Sequence, residues 1–360
     1  MSDELDPNER AFLQNMPEFN RSIAAAGWHV RDRTVRDSLS GAIMYNSTVD
    51  DCEFHFVEWK NAFVADSRFT GTHFFQTKFA GATLRNVTFT ACFFDSSSFS
   101  NATLSDCRFI DCRAEELTAR NAKFLGCRFE RFRDTGAVFS ESQIQECRLE
   151  QCEMHNSSFH FSQMVSVQFR QSKLTLLVFG DLTGAGLSFE DSRLEQCGFG
   201  ESRYGDVTFQ GGNLKGVSFN GFGVASLTLQ KCVRVEEFSV RKSRLQRLAI
   251  RECPAISRLS IVESAIGNLS IERCLLEYVE LSESEVGEGS SIAECRVAGF
   301  DLSGATIRGL RIGNTTLYSY LTLNHAVFEK LSFSGLDYSA IEIDAENVVY
   351  SKDSDRFRLQ

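Results

Sequence analysis

Counting in fives from Met44, the chain places a large apolar side chain at nearly every stop. The series begins Met44, Val49, Phe54, Trp59, Val64, Phe69, Phe74 and Phe79, and ends Phe209, Leu214, Phe219, Val224 and Leu229. Of its 38 members only Asp134 and Gly184 are not apolar, and 18 of the chain's 32 Phe fall in this register. Two residues before each stop the side chain is small. Between Ala42 and Leu227, 31 of the 38 such positions hold Ala, Ser, Cys, Thr, Val or Gly. A period of five matches neither the 3.6 of a helix nor the 2 of a strand. It fits short extended segments separated by corners, in which residues i−2 and i face the same way and the chain turns before the next large residue. Repeated turning winds the chain into a coil whose large side chains fill the centre.

The repeating unit, small-x-large-x-x, resembles the pentapeptide-repeat family and its pattern A-(D/N)-L-x-x. The clearest stretches are AGATLRNVTF (80–89), SNATLSDCRF (100–109), ARNAKFLGCRF (119–129) and GGNLKGVSF (211–219). The resemblance implies an all-β fold, a right-handed quadrilateral β-helix of roughly 20 residues per coil. It covers the segment 41–232.

After Cys232 a longer period replaces the five-residue one. Cys232, Cys253, Cys274 and Cys295 are each 21 residues apart. Between them come large-x-large triplets such as FSV (238–240), LAI (248–250), LSI (259–261) and LRI (310–312). Their outer residues should point inward and the middle one outward. Residues 233–346 are therefore read as the same solenoid continued, with one extra residue per coil and longer flat faces. A separate β domain is the alternative.

Stacked coils expose unpaired strands at both ends. Residues 1–40 lie outside the repeat. Asp6-Pro7 reads as a helix start, Phe12, Leu13, Met16 and Phe19 as an apolar face, and Pro17–Ala26 as a second turn closed by Gly27. The expectation is a short N-terminal helical cap, or a docking segment. Residues 347–360 read as a polar tail.

Composition narrows the function. With a net charge of −10, the chain is a poor candidate for direct nucleic-acid binding. No stretch is long and apolar enough to span a membrane. The acidic N-terminus shows no secretory signal, so the expected setting is the cytoplasm. Export by a machine that needs no cleaved signal would leave the same sequence. Nine of the 12 Cys occupy the small column. They are read as small buried apolar residues, because neither a C-x-x-C pair nor a Cys with zinc-site spacing to a His occurs. Neither the six His nor the many Ser build a catalytic motif, and no phosphate- or dinucleotide-binding loop is present. No enzyme activity, cofactor or metal is expected.

Charge patterning supplies the only candidate site. Arg241, Lys242, Arg244, Arg247 and Arg251 form a run without acids, and Glu277, Glu280, Glu283, Glu285 and Glu288 form a run without bases. The two should make a basic band beside an acidic band, able to dock a protein partner of mixed charge. The leading expectation is thus a non-enzymatic bacterial binding scaffold: an adaptor, effector or effector partner in a secretion or toxin system. A second copy docked through a solenoid end is a further partner to consider, although the C-terminal segment shows no helical dimerisation pattern. The alternative is a DNA mimic that protects or inhibits gyrase, as some members of the family do. Charge weighs against it. Residues 41–232 hold 22 acids and 18 bases, whereas duplex DNA carries about one charge per 1.7 Å.

Overall fold

The computed structural model describes residues 24–339 and 341–357. It forms two compact units, Met1–Val178 and Phe179–Gln360. Among the described residues every regular element is a strand, and every strand pairing is parallel. The fold is a right-handed parallel β-solenoid.

In the first unit each coil has four short faces. On the first face Met44, Val64, Leu84, Leu104, Phe124 and Ile144 stand one above another in register. Val49, Phe69, Phe89, Phe109, Phe129 and Leu149 stack on the second. The third stacks Phe54, Phe74, Phe94, Ala114, Asp134, Met154 and Leu174. The fourth is held by single bridges, Glu58 to Lys78 to Ser98 to Thr118. The large residues of the register thus fill the axis. Phe89 and Phe109 lie 5.0 Å apart and nearly parallel, as do Phe74 and Phe94.

Corners recur every fifth residue and require a left-handed backbone. Asn61, Asn86, Asn101, Asp106 and Asp111 all have φ between 52° and 60°. Asn and Asp tolerate this region because their short side chains bond locally. They also stack: Asn86 donates to Asp66 at 2.8 Å and Asn121 to Asn101 at 2.9 Å. Phe56 and Phe161 take the same conformation while mostly exposed.

The small column does more than leave room. Where the next coil offers Ser, its hydroxyl accepts the corner N–H from the coil below and donates to a carbonyl. Ala122 N–H donates to Ser142 Oγ at 3.2 Å, and Ser142 Oγ donates to the Ala119 carbonyl at 2.5 Å. Volume is shared between the two columns. At two small centres the i−2 residue is large, Leu117 with Ala119 and Phe132 with Asp134, all buried.

The second unit holds both periods. Gly184, Tyr204 and Val224 stack at steps of 20, then Val224, Leu245 and Ile266 at steps of 21. The first two faces merge into eight-residue strands, Arg203–Gln210, Gly223–Gln230, Arg244–Arg251 and Ala265–Glu272. At these bends Asp206, Ser226, Arg247 and Asn268 are absent from the left-handed positions, so the corner opens into continuous strand.

Gly212 marks the closest approach between coils. It has φ +66°, and a Cβ there would lie 2.0 Å from the Ser192 carbonyl oxygen and 2.7 Å from the Ser192 nitrogen. Both are backbone atoms and cannot swing aside. Gly212→Ala is expected to cost about 2 kcal/mol through strain and displaced strands, read as a lower urea midpoint.

Both ends depart from expectation. Residues 24–40 form coil rather than the helical cap foreseen over 1–40. Ala24–Ala26, His29–Arg31 and Thr34–Val35 are strands paired with the next coil. Gly27 at φ +71° and Asp32 at 51° are corners, so the supposed helix stop is a coil turn. The rest of the expected cap, residues 1–23, lies outside the described residues. Beyond residue 347, Val349–Tyr350 pairs with Val327–Phe328. Phe357 is 4% exposed, its ring 4.6 Å from that of Phe333. The segment read as a tail thus folds back, through Phe357, over the last coil's apolar end.

Candidate partner-binding surface

The charged runs singled out by sequence do not form two neighbouring bands on one face. In the second unit the basic residues wind around one coil. Arg241 ends the strand Phe238–Arg241, Lys242 occupies the next corner, and Arg244–Arg251 is the merged strand of the first and second faces. Arg244 and Glu285 share a first-face row, with Ala265 between them.

Five of these ten charges are paired with a residue of another coil. Lys242 Nζ lies 3.7 Å from Glu263, and Arg251 Nε 3.6 Å from Glu272. Glu285 meets Arg308 at 3.0 Å. Glu288 accepts from Lys330 Nζ at 2.6 Å, which holds its carboxyl below the usual carboxylate range and lifts the lysine. Glu280 accepts from Ser260 and Ser282 and approaches Arg258 at 4.0 Å. Among the described residues Glu277 and Glu283 have no ion pair, and neither do Arg241, Arg244 and Arg247.

Of the unpaired arginines, Arg244 borders a groove of about 630 Å³ on the first face. Its floor is bare strand, because Gly205, Gly223, Ala225, Ala265 and Gly267 carry little or no side chain. Arg203 and Arg244 rise from the same row with Gly223 between them in register. They are therefore two rungs apart, about 10 Å. Arg203 also lacks an ion pair among the described residues. Sequence reading missed it because it belongs to no local charge run. The signal that finds it is the coil spacing, one step of 20 and one of 21 from Arg203 to Arg244.

Two other features bear on chemistry. All 12 cysteines are buried free thiols. They act as weak donors as well as fillers: Cys127 Sγ donates to the Leu104 carbonyl at 3.4 Å. Burial pushes the Cys52 thiol up to about 11 and the Cys152 thiol to about 12, so these are protonated and unreactive at neutral pH. The stacked thiols form lines, and no group of three or more His, Cys, Asp or Glu among the described residues could hold a metal.

Asp134, one of the two breaks in the apolar register, keeps strand register between Ala114 and Met154, 3% exposed. Its Oδ2 accepts from Ser157 Oγ at 2.5 Å and from Ala137 N–H at 3.4 Å, while Oδ1 has no partner. Burial raises its carboxyl to about 6.

Comparison with known proteins agrees with the coil geometry. Residues 82–159 match the sequence profile of the pentapeptide repeat region. That segment is a pentapeptide repeat region. No curated protein matches it in sequence. Among solved structures, a form of QnrB1, a plasmid-mediated fluoroquinolone resistance protein, is 17% identical over 50% of this chain and 84% of its own, with a TM-score of 0.33. HetL, a pentapeptide-repeat protein involved in heterocyst differentiation regulation in Nostoc sp. strain PCC 7120, is 12% identical over 94% and 95%, with a TM-score of 0.25. The periplasmic alginate epimerase AlgG, as a double mutant, is 10% identical over 86% and 78%, also at 0.25. None of these three likenesses is close enough to carry function across. Among the described residues no helix of this chain is long and apolar enough to cross a membrane.

Proposed function

We propose that this protein is a non-enzymatic scaffold that binds a protein partner, and that the first-face groove of the second unit receives an acidic part of it. One observation carries the reading: Arg203 and Arg244 remain without ion pairs on the lining of an open groove in a chain of net charge −10. Nearby cations, by contrast, find carboxylates one coil away. Unpaired arginines over exposed backbone suit an acidic strand or loop, with Arg placed to grip carboxylates in pairs. An adaptor or effector role would use such a groove.

The reading as an acidic mimic of duplex DNA draws no support from the first unit. Its acids alternate with bases along the coils, as in Glu58–Lys78, Asp66–Arg85, Asp111–Arg131 and Glu141–Arg120. A gyrase supercoiling assay with purified protein tests that reading directly.

The scaffold reading is tested by a photo-crosslinker at Gln246, with crosslinked peptides identified by mass spectrometry. Crosslinks to acidic segments of a partner are expected, and the combined variant Arg203→Glu, Arg244→Glu, Arg247→Glu should lower their yield at least about tenfold. Unchanged capture by that variant would exclude the groove.

A further inference from the structure

The second face of the first unit carries two rows of charge without ion pairs. Where outward charges on these coils are neutralised, it happens in one of two ways. Some pair between coils, as Arg131 does with Asp111, Arg120 with Glu141 and Lys78 with Glu58. Others close within one strand as Arg-x-Glu: Arg113 with Glu115, Arg193 with Glu195 and Arg234 with Glu236.

Five Arg-x-Glu strands occur in the chain, and two of them, Arg128-x-Glu130 and Arg148-x-Glu150, stay open. They are consecutive rungs. Arg128 stands directly over Arg148 and Glu130 over Glu150, and Arg108 extends the basic row by another rung. None of these five side chains has an ion pair or side-chain hydrogen bond among the described residues. Like charges facing each other across rungs cost stability, and of these five stacked charges only Glu150 has an opposite charge on the next rung of its row, Arg170. Arg131, at the adjoining corner, is already held by Asp111.

The geometry points to a second copy of this chain as the missing partner, docked side by side through this face. The two rows flank one central row of inward residues, the basic row on one side and the acidic row on the other. A two-fold axis parallel to the coil axis exchanges the sides while keeping each rung level. Arg128 of one copy then faces Glu130 of the other, and Arg148 faces Glu150, each pair occurring twice. Arg108 meets Ile110, over which its methylene stem can lie. On the remaining rungs Thr88 faces Thr90, Arg68 faces Thr70, Thr48 faces Asp50 and His29 faces Arg31, so no two arginines and no two carboxylates meet. A two-fold axis perpendicular to the coils would instead set the arginine rows against each other. Charge therefore selects the parallel, isologous arrangement. The face is flat and polar, a strip roughly 34 Å long over seven rungs. Two such strips bury less than about 1,200 Å², the size of weak complexes, so the dimer should be weak and salt-sensitive. This surface lies in the first unit and is independent of the groove proposed above.

Sedimentation equilibrium of the full chain tests the inference. Self-association is expected at about 20 mM salt and should fade by about 500 mM, where screening shortens to a few ångströms. Arg128→Glu with Arg148→Glu should weaken it at least tenfold, roughly what four surface pairs can supply. The four-fold swap that also carries Glu130→Arg and Glu150→Arg keeps the rows self-complementary and should restore it to within about threefold of the parent. Circular dichroism confirms that the variants fold. A chain that stays monomeric at low salt, a dimer indifferent to the double reversal, or a swap that fails to restore association would each overturn the inference.

Discussion

Asp134→Leu should raise the unfolding free energy at pH 7 by up to about 3 kcal/mol, and most of that gain should vanish at pH 4. The reasoning starts from one carboxylate in an otherwise apolar column. Burial lifts its folded-state value from 3.8 to about 6. In the unfolded chain it returns to the ordinary value, so between about pH 4 and pH 6 the folded state holds a proton that the unfolded state has released. The stability linked to that proton is fully present below pH 3.8 and is lost as pH rises through 6. At about 1.4 kcal/mol per unit, the charged carboxylate costs the folded state about 3 kcal/mol at neutral pH. Ser157 and Ala137 offset part of the burial, and the partnerless Oδ1 shows how incomplete that is. Ala114, one rung below, leaves room for the larger Leu side chain. Urea denaturation of parent and variant at several pH values measures the difference. A gap that stays constant from pH 4 to pH 8 would mean that folding does not shift the carboxyl from its ordinary value.

Asp134 also shows where sequence reasoning succeeds and where it stops. The axial column was legible because a solenoid of equal coils turns burial into strict spacing, and one polar residue in it is conspicuous. What the residue does there was not legible. Whether a carboxylate swings out depends on whether a donor such as Ser157, 23 residues away, reaches it.

The N-terminal coil was missed for a related reason. Val30 and Val35 keep the five-residue step, but only four residues separate Val35 from Leu39, where the main register begins. One residue fewer in that turn sets the first coil 19 residues from the next and hides it from a search at fixed period. The same blindness applies to the binding surface. Arg241–Arg251 was visible as a run, whereas Arg203 joins the groove only through the coil spacing. The unpaired rows Arg108–Arg128–Arg148 and Glu130–Glu150 look in sequence like the Arg-x-Glu strands that close. Only the side-chain geometry separates them.

The aromatic axis leads to the second large effect, a loss of about 4 kcal/mol from Phe94→Ala. Phe94 is fully buried. Its ring stacks on Phe74 at 5.0 Å and packs against Phe89 at 5.3 Å, Phe99 at 5.6 Å and Phe109 at 5.9 Å. Removing it deletes the apolar burial and those edge and stacking contacts together, and it leaves a void that rigid parallel strands cannot close. Ala114 directly above is already small, so two adjacent rungs would then hold only Ala on the third face. Phe94→Leu keeps most of the volume and should cost only about 1 kcal/mol. Each coil touches only its neighbours, so the damage should also be local. Hydrogen exchange should show the amides of the strands Thr88–Thr90, Phe93–Asp95 and Arg113–Glu115 opening before those of the other coils. A loss below about 1 kcal/mol, or exchange that accelerates evenly along the chain, would show that the stacked rings do not hold the coils together.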